Sequence, residues 1–179
     1  MLSFVSGKRR ILEVGVGTGR FAAPLGIRVG IEPASSMRRV AQRRGINVVG
    51  VVAEHLPFKH SSFELVVMIT VVCFVKDIHK AFREAFRVLS DDGIIVVGIV
   101  DHGSPLGQKY LKDKQKSLFF RGATFYSVDE ILKVMRQTGF DNSSFRQTVF
   151  GDVSKVSESE TVRTRYGTGL FVVIRGEKQ

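Results

Sequence analysis

The chain has 179 residues, 44% of them apolar, a formal net charge of +10 and a single cysteine. That length suits one domain, 1–179, with a substantial core, and no apolar run approaches the ~18 residues of a bilayer span, so no membrane segment is expected. Cys73 alone excludes an internal disulfide framework and a cysteine-only metal site. The first ten residues carry their charges after their few apolar residues, the reverse of a secretory leader, which points to a cytoplasmic address. The positive charge is spread over Lys8-Arg9-Arg10, Arg38-Arg39, Arg43-Arg44, Lys109 to Lys116 and the C-terminal tail. With no dense block it reads as a solvated surface before it reads as a nucleic-acid footprint.

Ile11-Leu12-Glu13-Val14 predicts a buried first strand that breaks into Gly15-Val16-Gly17-Thr18-Gly19. Alternating glycines admit positive φ and let a ligand approach the backbone, with unpaired N–H groups and the start of a helix facing it. That helix, Arg20 to Leu25, is cut short by Pro24 and Gly26. Arg28 to Glu32 predicts the second strand, which sets a carboxylate seventeen residues after Gly15. At the end of a second strand such an acid can accept hydrogen bonds from both ribose hydroxyls of a nucleoside. The spacing is G-x-G-x-G rather than the G-x-G-x-x-G of a pyrophosphate cradle, and Glu13 adds negative charge just before the turn. A carboxylate there repels phosphate and suits a cation.

Ser35 or Ser36 is placed to cap a helix to Arg44, stopped by Gly45, with Met37, Val40 and Ala41 on its inner face. Ile46 to Val52 predicts the third strand, followed by the loop Ala53-Glu54-His55-Leu56-Pro57-Phe58. The near-continuously apolar Phe63 to Thr70 predicts a fourth strand covered on both faces. Lys76 to Leu89 is amphipathic with helical period, Asp91-Asp92-Gly93 turns the chain, and Ile94 to Val100 is the fifth strand, ending at Asp101-His102-Gly103. Ser127 opens a capping box with Glu130 for a helix to Thr138, which Gly139 ends. Ser144 to Phe150 and Leu170 to Arg175 predict the sixth strand and an antiparallel seventh, joined by a mobile polar loop. The expected fold is therefore α/β: a Rossmann-like, doubly wound, seven-stranded, mostly parallel sheet with an antiparallel last strand and helices on both faces.

Glu13-Val14-Gly15-Val16-Gly17-Thr18-Gly19 resembles the first motif of class I S-adenosylmethionine-dependent methyltransferases, and Glu32 matches their ribose-binding acid. Residues 53–58, 63–68 and 85–93 fit further motifs in order, so the likeness spans roughly residues 10 to 100 and is closest to the small-molecule branch. S-adenosylmethionine has an ammonium and a sulfonium and no phosphate, in keeping with the acids. The resemblance implies a cofactor site made by Glu13, Gly15, Gly17, Gly19, Glu32, Pro33, Met37, Ala53, Glu54, His55 and Thr70, with Glu54 receiving the adenine amine. It implies no metal, in-line methyl transfer to a small-molecule acceptor, and residues 104–124 as a substrate-side insertion with apolar walls such as Phe74, Tyr110 and Phe120. Many relatives also have an N-terminal helical lid that this chain lacks or begins within. Cys73-Phe74 stands where relatives often place histidine, so no catalytic base is legible and His102 is the one weak candidate for proton handling. Two other readings remain: methylation of RNA or another macromolecule through the basic surface, and a nicotinamide oxidoreductase or non-catalytic nucleotide-binding domain on the same architecture.

Overall fold

A computed structural model describes residue 4 and residues 7–114, 122–151 and 161–179. Its seven strands are β1 (Ile11–Val14), β2 (Val29–Ile31), β3 (Asn47–Val49), β4 (Phe63–Ile69), β5 (Leu89–Val100), β6 (Phe140–Thr148) and β7 (Phe171–Lys178). They lie in the order β3-β2-β1-β4-β5-β7-β6, with β1 to β5 mutually parallel and β7 antiparallel to both of its neighbours. The chain winds outward from β1 through β2 to β3, then crosses back to β4 on the other side. The reversal between β1 and β4 opens a crevice beyond their carboxyl ends, where open α/β sheets bind ligands.

The central strands are mostly apolar because both faces are covered. Along β4, Phe63, Val66 and Met68 join one cluster, while Leu65, Val67 and Ile69 join the other. The first cluster is closed by α2 (Ile78–Val88) and α4 (Val128–Gln137), which contribute Ala81, Phe82, Ala85, Ile131 and Met135. Phe140 takes Phe82 and Phe86 edge to face, at ring centroid separations of 6.4 and 5.5 Å. Burying a phenylalanine of this kind contributes about 1.5–3 kcal/mol. The second cluster is closed by α1 (Ser35–Arg43) through Ala41 and by the segment carrying Ala22 and Ile27. Among the described residues no helix is long and apolar enough to cross a membrane.

Several local expectations need correction. Residues 20–26 form successive turns rather than a helix. α1 is capped not by Ser35 or Ser36 but at Ala34, which offers no side-chain acceptor; the Glu32 carboxylate takes the Ala34 N–H instead, at 2.8 Å. The turn expected at Asp91-Asp92-Gly93 is a bulge within β5, because Phe63 pairs with Leu89 and Leu65 with Ile94, leaving Ser90–Gly93 looped out. β6 starts at Phe140, four residues earlier than predicted, since its exposed polar Asp141 and Asn142 hide the strand pattern. Within the loop before β7, residues 161–169 are tied down. Gln147 and Arg163 exchange backbone hydrogen bonds of 2.9 and 3.0 Å, and the Gln147 side-chain oxygen accepts from the Gly169 N–H at 2.7 Å. The Asp77 cap of α2 and the Ser127–Glu130 capping box of α4 are both formed. From the 104–124 region, Pro105–Lys114 forms α3, whose first turn is held by Ser104 Oγ accepting the Gly107 N–H at 3.0 Å. Phe120 lies outside the described residues.

Candidate active site

A cleft of about 750 Å³ opens beyond the carboxyl ends of β1, β2 and β4. Of the predicted site residues, Gly15, Gly17, Glu32, Pro33, Met37, Ala53, Glu54, His55 and Thr70 all line it. Gly19, Glu13 and His102 do not.

The glycine turn follows β1 with φ values of +72° at Gly15 and +54° at Gly17. A Cβ on Gly15 would overlap the Val71 side chain, whereas one on Gly17 would meet nothing within 4 Å. Gly15 thus lets the β1 and β4 ends approach, and Gly17 keeps the backbone bare toward open space. The Gly15 and Val16 N–H groups both donate to the Ile31 carbonyl, at 3.0 and 2.9 Å, and the Gly17 N–H donates to Glu32 Oε2 at 3.1 Å. The turn therefore does not present the unpaired N–H groups expected of it at Gly15, Val16 and Gly17. Its donors are satisfied by β2, and a carboxylate sits in the place a phosphate would need.

Glu32 is 8% exposed, and both of its oxygens are held by backbone N–H groups. Arg38 braces the same corner, donating to the carbonyls of Glu32 and Pro33 at 2.9 and 2.6 Å. Glu13 is 1% exposed and its Oε2 has no hydrogen-bond partner. Burial pushes its carboxyl up to about 8, so it holds its proton at neutral pH. It precedes Val14, which does line the cleft. A buried oxygen without a donor fits a ligand that brings one, an ammonium above all.

The 53–58 loop is fixed from α2. Glu54 Oε1 accepts the N–H groups of Lys76 and Asp77, at 2.8 and 3.2 Å, a bracing role that the motif did not foretell. Arg87 donates to the Phe58 and Leu56 carbonyls at 2.7 and 2.9 Å and pairs with Glu84, whose Oε2 accepts the Leu56 N–H at 2.8 Å. At the rim, the Lys80 ammonium lies 2.6 Å from His55 Nε2. Lys76, Asp77 and Lys80 line the cleft as well and were missed, because they come from α2 and its approach rather than from a strand end.

Thr70 closes β4 with φ +53°, a conformation rare for a β-branched residue, and its N–H donates to the Gly98 carbonyl at 2.8 Å. Beyond it lies a second cleft of about 190 Å³, which shares Thr70 and Phe74 with the first and reaches Cys73, Tyr110, Phe125 and Tyr126. Burial pushes the Cys73 thiol up to about 11. His102 is exposed and touches neither cleft; its backbone N–H donates to the Tyr126 carbonyl at 3.2 Å. Among the described residues, no group of three or more His, Cys, Asp or Glu could hold a metal ion.

The sequence family described as "Methyltransferase domain" matches residues 12–97. A crystal structure of a SAM-dependent methyltransferase from Thermotoga maritima, described as a "possible histamine N-methyltransferase", superposes with a TM-score of 0.94 at 44% identity, covering 99% of this chain and 87% of that one. The chain belongs to the class I S-adenosylmethionine-dependent methyltransferases. An uncharacterized protein of Methanocaldococcus jannaschii is 42% identical over 171 residues, covering 96% of this methyltransferase and 83% of the archaeal chain. The malonyl-[acyl-carrier protein] O-methyltransferase of Geobacter sulfurreducens is 31% identical over 150 residues, of which this chain spans 55%. With this membership the methyltransferase is an enzyme whose family and fold imply S-adenosylmethionine as methyl donor, and the nicotinamide oxidoreductase reading falls.

Proposed function

We propose that this methyltransferase transfers a methyl group in line from S-adenosylmethionine, held in the larger cleft, to a small-molecule acceptor in the smaller one. The observation that carries the reading is the joining of the two clefts at Thr70 and Phe74. When bound, S-adenosylmethionine supplies an activated methyl group on a sulfonium, so the protein's task is orientation and exclusion of water.

Glu32 is set to accept the ribose hydroxyls while its backbone bonds hold its rotamer. Gly15 and Gly17 would leave room for the methionyl part, and the unpartnered Oε2 of Glu13, buried behind Val14, would receive the ammonium with loss of the carboxyl proton. Ala53, Glu54 and His55, on the loop that Arg87 steadies, would hold the adenine together with Met37 and Pro33. Phe74 and Thr70 stand where the two clefts meet and keep water from the reacting atoms.

A volume of about 190 Å³ behind a mostly apolar lining supports a small acceptor. Isothermal titration with S-adenosylmethionine tests the core of the reading. Binding by the wild type that Glu32→Ala weakens supports it, and equal absence of binding by both removes it.

A further inference from the structure

The smaller cleft says more about the acceptor than its size. Resting on the methyltransferase reading above, we propose that it takes a neutral, planar nitrogen heterocycle of one or two rings, methylated at a ring nitrogen without help from a protein base.

Four aromatic side chains, Phe74, Tyr110, Phe125 and Tyr126, line the cleft with Thr70 and Cys73, and no Asp, Glu, His, Lys or Arg does so among the described residues. A cavity of about 150 Å³ with apolar walls holds a benzene ring, so about 190 Å³ suits one or two fused rings. A charged acceptor would enter such a wall without a counter-ion, at the cost of its hydration. The acid nearest in sequence, Asp101, is committed elsewhere: its Oδ1 accepts the N–H groups of Gly103 and Val128, at 2.9 and 3.2 Å. Of the three ionisable groups that face the cleft, Cys73, Tyr110 and Tyr126, burial raises the Cys73 thiol and the Tyr126 phenol and makes both poor bases at neutral pH.

An alcohol or phenol acceptor needs a proton removed as it attacks, and the described residues of this wall offer no carboxylate, imidazole or amine to remove it. A ring nitrogen with a free lone pair needs nothing removed. Its lone pair forms the bond to the methyl carbon as the carbon–sulfur bond breaks, and that bond's electron pair stays on sulfur. The positive charge passes from sulfur to the ring. Aromatic rings stabilise a cation forming beside them by their quadrupoles. If the ring carries an N–H, the proton leaves to solvent after the transfer.

The test has two readouts. In the first, benzimidazole and quinoline are titrated into protein saturated with S-adenosylhomocysteine, using the wild type and Val100→Phe, which fills the cleft from the end of β5. The proposal expects both heterocycles to bind the wild type, and the variant to bind them at least tenfold more weakly while its affinity for S-adenosylhomocysteine is unchanged. In the second, the same heterocycles, catechol, histamine and an RNA oligonucleotide are offered with S-adenosylmethionine, and N-methylated benzimidazole or quinoline is expected. Equal binding to wild type and Val100→Phe overturns the proposal, as does methylation of catechol, histamine or RNA with none of the heterocycles, and the methyltransferase reading then stands. Failure of the wild type to bind S-adenosylhomocysteine at all takes down the reading and the proposal together.

Discussion

Glu32 and Gly17 are joined by a hydrogen bond of 3.1 Å from the glycine N–H to Oε2, while Oε1 of the same carboxylate accepts the Ala34 N–H at 2.8 Å. One acid therefore ties the glycine turn after β1 to the start of α1. It occupies the donors that a phosphate would have used, and it is held ready for a hydroxyl-bearing ligand. Removing it should cost binding twice over, through the lost acceptor and through a loosened turn. Charge-assisted hydrogen bonds contribute about 1.5–3 kcal/mol each. Glu32→Ala is expected to raise the Kd for S-adenosylmethionine by about 10- to 100-fold, and Glu32→Gln by less, measured by isothermal titration.

Glu13 gives the protein a stability that depends on pH in an unusual direction. Its folded carboxyl titrates at about 8, far above the unfolded value of 4.5. Between these values the unfolded chain has released the proton that the folded chain retains, so stability is greatest below the unfolded value. It falls as pH rises toward 8 and levels off above it. Glu13→Gln removes this slope. The Tm difference between pH 5 and pH 8.5 should shrink in the variant, as followed by calorimetry. An ammonium beside Glu13 would pull its pKa down, so binding near pH 7 should release a proton in the wild type and none in Glu13→Gln. Titrations in buffers of different ionisation enthalpy would detect it.

The glycines of the turn should differ when replaced. Gly17→Ala puts a methyl group into open space and bears only the cost of a left-handed conformation, about 1–2 kcal/mol, which lowers Tm by roughly 2–8 °C. Gly15→Ala has the same backbone problem and drives its methyl group into Val71. It should unfold at a distinctly lower temperature than Gly17→Ala in the same thermal scan.

Arg87 links α2 to the loop that carries Glu54 and His55. Arg87→Met leaves the Leu56 and Phe58 carbonyls without their donors and should cost about 2–3 kcal/mol in urea unfolding. The Arg87 guanidinium also holds the Glu84 carboxyl below its usual range. That contribution is present above the ordinary carboxylate pKa and is lost as pH falls through the depressed one, so Arg87→Met should show a weaker loss of stability in acid. A Kd for S-adenosylmethionine that rises only slightly would mark Arg87 as a brace for the loop.

The strands of the parallel sheet were legible because burial on both faces leaves them mostly apolar; Leu65 to Ile69 could hardly be anything else. The helices with a side-chain cap, at Asp77 and Ser127, were equally plain. The segment at 20–26 misled, because its short apolar pattern resembles a helix while Pro24 and the positive φ of Gly26 leave only turns. Among the residues that the motif named, those from Gly15 to Thr70 other than Gly19 line the cleft, and Glu13 does not. Lys76 and Lys80 reach the cleft by the packing of α2, which no spacing along the chain encodes.

The order of apolar runs, glycines and acids was enough to determine a doubly wound sheet with its ligand crevice beyond β1 and β2, because period and turn chemistry are local properties. Tertiary structure alone decided how the acids act. Glu13 is protonated because the sheet buries it, and Glu32 is held by N–H groups fifteen residues upstream and two downstream. It also decided that the region past β4 is an aromatic recess, since Phe74, Tyr110 and Tyr126 come from three separate stretches and meet only when the chain is folded. Charge state and cavity shape are set by what surrounds a side chain in space, and the linear order of residues does not contain that information directly.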